Sequence, residues 1–143
     1  KDSTGKGMDW VESVVKNERP DILILDMGDK FADIRSERTD ITLKAAAIHA
    51  RNIAKQYDCA VVWMSQLSAE AEGRADLNQA MMEGSKTGKA AEADLMVLIG
   101  KTQQAEGEDD DPIRYLNIAK NKLNGYQGKI TCVLDGSRSV YSA

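Results

Sequence analysis

Long apolar runs, cysteine and excess positive charge are all scarce in this chain, and each scarcity narrows what the chain can do. No stretch approaches the roughly 20 consecutive apolar residues that a membrane-spanning helix needs. The N-terminus, Lys1-Asp2-Ser3-Thr4-Gly5, is polar, which leads us to expect no signal peptide. The two cysteines, Cys59 and Cys132, lie far apart and flank apolar segments. They read as buried, reduced thiols of a cytoplasmic protein, with a disulfide or shared metal as the lesser reading. A net charge of −4 argues against a protein that coats nucleic acid through its overall charge. It leaves room for a local basic loop, because the field near a site matters more than the sum. What is present is ordinary for one soluble domain with a real core: 143 residues, 42% apolar and 29% charged. Neither an internal repeat nor a second domain is visible.

Two apolar runs carry the most information. Ile22-Leu23-Ile24-Leu25 closes on Asp26, and Ala60-Val61-Val62-Trp63-Met64 closes on Ser65-Gln66. A continuous apolar run that ends on a lone polar residue suits a parallel strand covered on both faces. In open α/β sheets, ligands bind beyond the carboxyl ends of the strands, so Asp26 and Gln66 are expected to face one crevice. Before the first run, residues 8–18 predict a helix with Trp10, Val11, Val14 and Val15 on one side, ended by Pro20-Asp21. Between the runs, Gly28 to Arg38 reads as a polar surface loop. Thr39 or Asp40 then caps a long helix through Tyr57. Its seam is Leu43, Ala47, Ala50, Ala54 and Tyr57, broadened by Ile41, Ile48 and Ile53. Strand, helix and strand with short joints make a right-handed parallel crossover.

The remainder changes character. Leu67 to Ala93 is rich in small and charged residues, with Gly73, Gly84 and Gly88 as breakers. Leu95 to Ile99 predicts a third strand. Glu106 to Asp111 reads as a solvated turn, with a metal site as the minor alternative. Ile113 to Ala119 and Lys129 to Leu134 predict strands joined by the turn residues Asn124-Gly125-Tyr126-Gln127-Gly128, and Arg138 to Tyr141 a short final strand. The fold class is therefore α/β, a mostly parallel sheet with helices on both faces and an antiparallel C-terminal hairpin.

Several residues have chemistry that outweighs their bulk. Asp26 at a strand end can hold a magnesium-bound water beside nucleotide phosphates; an ordinary turn or cap Asp is the plain alternative. Gln66 can bond a γ-phosphate and a neighbouring loop, or can cap exposed carbonyls. Lys120 and Lys122, two apart on a strand, point to one face and can reach an anion beyond their own subunit. Lysines guarding an exposed edge strand would look the same. His49, inside the long helix, reads as a satisfied or solvent-facing residue, and the methionines, Met81-Met82 among them, as packing residues.

Taken in order, these pieces resemble the C-terminal half of a RecA-like ATPase core. They are most similar to the hexameric replicative DNA helicases of the DnaB type and the phage primase-helicases. The resemblance covers nearly the whole chain, from Asp2-Ser3-Thr4 to the strand near Tyr141. It implies that Asp26 is the Walker B carboxylate and that Gln66 senses phosphate state and couples it to DNA-binding loops. Glu83-Gly84-Ser85-Lys86-Thr87-Gly88-Lys89, followed by Ala91-Glu92-Ala93-Asp94, resembles the family's DNA-loop segment. Lys86 and Lys89, with Arg74, would contact phosphates of single-stranded DNA without reading bases. The loop has no aromatic residues for base stacking, so a plain surface loop is its rival reading. Lys120 and Lys122 fall where the family places a Lys and an Arg that reach the adjacent subunit's nucleotide. ATP and Mg2+ are the implied cofactors, with single-stranded DNA and other copies of the chain in a hexameric ring as partners.

Two departures qualify the resemblance. Lys122 stands where Arg is usual, and a lysine is a point charge without the planar fork. The phosphate-cradling loop is missing. Gly5-Lys6 is followed by Gly7, not Ser or Thr, and the loop's first Gly would precede Lys1. The family's catalytic Glu also lies upstream of the Walker B strand. The chain is therefore expected to be the C-terminal portion of a longer ATPase and, by itself, not to hydrolyse ATP. The alternatives are a RecA-like recombination or repair ATPase, and a DNA-binding or oligomerisation module that works without nucleotide.

Overall fold

The computed structural model describes residues 5–32, 39–83, 88–103 and 111–143. Its contacts divide the chain into two compact units, residues 1–66 with 83–92 and residues 67–82 with 93–143.

The first unit begins with α1 (Met8–Glu18), whose Met8, Val11 and Val15 recur at helical spacing and are buried. Arg19 ends the helix in the left-handed region (φ 49) and returns its N–H to the Val15 carbonyl at 2.8 Å. Pro20, which has no N–H to offer, follows. The strand β1 (Ile22–Leu25) pairs in parallel with β2 (Ala60–Trp63), Leu25 lying opposite Trp63. Between them runs α2 (Thr39–Tyr57), which buries Leu43, Ala46, Ala47, Ala50 and Ile53. The expected crossover is thus present. Its buried seam is narrower than expected: Ile41 and Ile48 are exposed, because one helical face suffices to cover two short strands.

Strand pleating divides β1 and β2 into two faces. Leu23, Leu25, Val61 and Trp63 turn toward α1 and α2 and join a core containing Val15 and Ile53, which are essentially inaccessible to solvent. Ile22, Ile24, Val62 and Met64 occupy the opposite face, where both isoleucines are 60% exposed. The polar-looking stretch after Asp26 is not a surface loop at its start. Gly28–Phe31 forms a tight helical turn, and Gly28, Phe31 and Ala32 are buried. Phe31, the only phenylalanine in the chain, pulls the turn inward. Residues 33–38 lie outside the described residues. The unit closes with the short helix α3 (Gly88–Glu92), fastened to α2 where the Arg51 guanidinium donates to the Glu92 carbonyl.

The second unit is a four-stranded antiparallel sheet in chain order: β3 (Leu95–Gly100), β4 (Ile113–Asn121), β5 (Gly128–Asp135) and β6 (Val140–Ser142). The expected hairpin is its middle, and the antiparallel region extends one strand further on each side. In β3, Met96, Leu98 and Gly100 point inward, while Leu95, Val97 and Ile99 are exposed. Residues 67–82 carry two helical turns and one bridge, Leu67 to Met82. Buried Asn117 ties this segment to the sheet. Its Oδ1 accepts from the Leu77 N–H at 3.3 Å, and its Nδ2 donates to the Ala75 carbonyl at 2.9 Å. Gly100 allows the close approach, since a Cβ there would lie 2.6 Å from the Arg74 carbonyl. The expected turn at Glu106–Asp110 lies outside the described residues. Among the described residues, no cluster of His, Cys, Asp and Glu could hold a metal, and both cysteines are free and buried.

Candidate functional site

The carboxyl ends of β1 and β2 carry polar residues on both faces. Pairing continues past the strands: the Met64 N–H donates to the Leu25 carbonyl at 3.0 Å, and the Gly28 N–H to the Met64 carbonyl at 2.9 Å. The alternation that turns Ile22 and Ile24 outward brings Asp26 out with them. Gln66 lies three residues beyond Trp63, the last residue of β2, and its carbonyl accepts from the Glu83 N–H at 3.3 Å. Asp26 and Gln66 are both exposed, so these expected site residues lie in solvent just beyond neighbouring strand ends.

The opposite face holds a cluster that the sequence did not reveal. Lys89, in α3, is only 5% exposed. Its ammonium donates to Asp29 Oδ1 at 3.0 Å, Asp29 Oδ2 at 2.9 Å and Ser65 Oγ at 2.7 Å. Three acceptors match the three protons of the ammonium. Asp29 also accepts from Ser65 Oγ at 2.5 Å and Trp63 Nε1 at 3.1 Å. A carboxylate with this many donors is well satisfied despite its partial burial. Gly28 makes room for the indole, since a Cβ there would sit 2.3 Å from Trp63 Cδ2 and Cε2.

This cluster bears on the expected DNA loop by showing where one of its lysines sits. Solvent-facing phosphate contacts are expected of Lys89; instead its charge is neutralised inside the unit. Arg74 is exposed but belongs to the second unit, and Lys86 lies outside the described residues.

Lys120 and Lys122 lie at the end of β4. Lys120 is half-buried, and its backbone pairs with Met96 across the sheet. Lys122 falls just past the last strand residue, Asn121, so strand alternation does not extend to it. Its side chain is 47% exposed and lies 3.6 Å from Asp94, and its N–H donates to the Asp94 carbonyl at 2.7 Å. The tight turn beyond is organised by amides. Asn121 Oδ1 accepts from the N–H groups of Leu123 and Asn124, Asn124 Oδ1 accepts from that of Tyr126, and Gly125 supplies a φ of 77.

Elsewhere in the first unit, Glu12, His49 and Tyr57 join α1 to α2. His49 Nε2 lies 2.7 Å from Glu12, and the Tyr57 hydroxyl donates to Glu12 at 3.1 Å. The His49 bond, then the Tyr57 bond, hold the Glu12 carboxyl below its ordinary pKa, and burial pushes the Tyr57 phenol up. His49 is thus the satisfied helical histidine expected.

No protein-family model matches the chain, and no curated protein matches it. Solved structures do. One, described as the ATPase domain of a larger protein, superposes with a TM-score of 0.80 at 16% identity, over 95% of this chain and 51% of that one. Another, described as a DnaB-like replicative helicase and its interactions with primase, superposes with a TM-score of 0.80 at 17% identity, over 99% of this chain and 36% of that one. The chain therefore spans about half the length of the first and about a third of the second. It has the RecA-like α/β fold of these ATPase and helicase structures, as expected from the order of its strands and polar residues.

Proposed function

We propose that this chain is the C-terminal portion of the RecA-like motor domain of an ATP-dependent replicative DNA helicase that moves along single-stranded DNA as a hexameric ring. The observation that carries the reading is the exposure of Asp26 and Gln66 together at neighbouring strand ends, within a fold shared with ATPase and helicase structures over nearly the whole chain. Apolar surface adds support. Ile22, Ile24, Val62 and Met64 in the first unit, and Leu95, Val97 and Ile99 in the second, leave sheet faces open that a soluble protein normally covers. More of the same domain, carrying the phosphate-binding loop, would cover them.

Asp26 has the chemistry for Mg2+. It is an exposed carboxylate at a strand end, and Mg2+ prefers one or two carboxylates together with waters and substrate phosphates. When bound, the ion would neutralise charge developing on the transferred phosphoryl group. Gln66, a neutral amide that both donates and accepts, would bond the phosphate side and pass its position along β2. Lys120 and Lys122, from an adjacent copy, would place positive charge on the same nucleotide. Lys122 is exposed enough to do so once it leaves Asp94, though without the bidentate fork of an arginine. Arg74 and Lys86 remain the candidate DNA-phosphate contacts. The protein would act in the cytoplasm; no helix among the described residues is long and apolar enough to cross a membrane.

The test is ATP hydrolysis and forked-duplex unwinding by the complete protein, with and without Asp26→Asn. We expect single-stranded DNA to stimulate hydrolysis, the fork to open, and the substitution to lower turnover roughly 100-fold or more. Strand pairing in place of unwinding would favour a recombination or repair ATPase. DNA binding indifferent to nucleotide would leave a binding or oligomerisation module. The 143-residue chain alone is expected not to hydrolyse ATP.

A further inference from the structure

We propose that Lys89 is a positioning residue of the ATPase cycle, acting from inside the fold as a clamp, and is not a contact to DNA. The proposal rests on the ATPase reading above and adds a route by which α3 controls the geometry of Asp26 and Gln66.

One ammonium joins three separate segments. Asp29 lies three residues beyond Asp26, Ser65 immediately precedes Gln66, and Lys89 belongs to α3. Lys89 bonds Asp29 and Ser65, Ser65 bonds Asp29, and Trp63 braces the carboxylate from β2. The strand end is gripped a second time, where the Glu83 N–H donates to the Gln66 carbonyl at 3.3 Å. Glu83 and Lys89 are therefore both attached to the segment holding Gln66. A displacement of α3 would be transmitted through Lys89 to Ser65 and Asp29, and hence to the backbone that sets Gln66 and Asp26.

Burial decides between this role and a phosphate contact. To reach DNA, Lys89 would have to leave three acceptors and strand the partly buried Asp29 carboxylate, which is 20% exposed. An exposed lysine meets a phosphate without that penalty. The buried pair is therefore suited to holding a geometry, and small misplacements of reacting groups are costly to turnover.

The test compares Lys89→Met, Ser65→Ala and Asp26→Asn in the complete protein. DNA-stimulated hydrolysis is measured against ATP concentration, and single-stranded DNA affinity against salt. For Lys89→Met, kcat is expected to fall about 10- to 100-fold. KM for ATP, DNA affinity and the slope of log affinity against log salt should stay unchanged. The NMR resonance of the Trp63 indole N–H should shift, because its acceptor Asp29 loses a partner. Ser65→Ala removes only a hydroxyl and should lower kcat less, in the same pattern; it carries the test if Lys89→Met does not fold. Weakened DNA binding with a salt slope shallower by about 0.7, the signature of one lost phosphate contact to a single strand, would overturn the proposal. Unchanged kcat in both variants would overturn it too. If Asp26→Asn retained full hydrolysis, the ATPase reading would fall and the clamp with it. Loss of activity in Asp26→Asn but not in the clamp variants would sink the clamp alone.

Discussion

Replacing Gly28 with alanine tests whether the strand ends are packed as described. An ideal Cβ at Gly28 lies 2.3 Å from Trp63 Cδ2 and Cε2 and 2.6 Å from Nε1, whereas ordinary contact begins near 3.4 Å. The indole must retreat by about 1 Å or the turn Gly28–Phe31 must lift, and either motion stretches the 3.1 Å Trp63–Asp29 bond beyond hydrogen-bonding range. Overpacking a core typically costs about 1–3 kcal/mol. Losing a hydrogen bond to a charged group costs about 1.5–3 kcal/mol. Gly28→Ala should therefore destabilise the protein by roughly 2.5–6 kcal/mol. The assay is urea unfolding followed by circular dichroism. A second variant checks the cause. In the Gly28→Ala background, Trp63→Phe supplies a smaller ring, so the two substitutions together should cost clearly less than the sum of their separate effects. Gly28→Ala unfolding within about 0.5 kcal/mol of the parent would refute the reasoning, because surface substitutions alone give changes that small.

Two further outcomes follow from single contacts. The Glu12 carboxyl is held below its ordinary value of 4.5, first by His49 and then by Tyr57. Its folded pKa is depressed, so its contribution to stability is complete above the unfolded value and fades as pH falls through the folded one. Acid unfolding of Glu12→Gln should accordingly be less steep below about pH 4.5 than that of the parent, and equal steepness would contradict the assignment. Asn117→Leu should leave the Leu77 N–H and the Ala75 carbonyl without their side-chain partner and cost about 1–3 kcal/mol. Hydrogen exchange at Leu77 would report the loosened segment; unchanged exchange would mean that Asn117 is not its anchor.

Features with short-range causes are legible in the sequence. The apolar runs Ile22–Leu25 and Ala60–Trp63 mark two parallel strands, and the polar residues that close them, Asp26 and Gln66, lie exposed just beyond their ends. Helical spacing marks α1 and α2, but it does not say how wide a face the strands demand, and Ile41 and Ile48 lie outside that face. The Lys89 cluster depends on long-range pairing: Lys89 and Asp29 are 60 positions apart, and nothing local distinguishes a lysine that will be buried from one on a loop. One clue is present. Phe31, alone among charged neighbours, is a poor occupant of a solvated loop, and its burial carries Gly28 and Asp29 inward. Lys122 shows the same limit at a boundary, because where β4 gives way to a turn depends on the amides of Asn121 and Asn124.

The most direct test of the account is a mixing experiment with the complete protein. Asp26→Asn subunits should fail to hydrolyse ATP because their own nucleotide site lacks its carboxylate. Lys122→Ala subunits should fail because they cannot complete the neighbour's site. A site built across two copies predicts that mixing the two inactive preparations restores DNA-stimulated hydrolysis, since some interfaces then combine an intact Asp26 with an intact Lys122. Mixtures that stay as inactive as their components, or Lys122→Ala subunits that hydrolyse ATP normally by themselves, would contradict it.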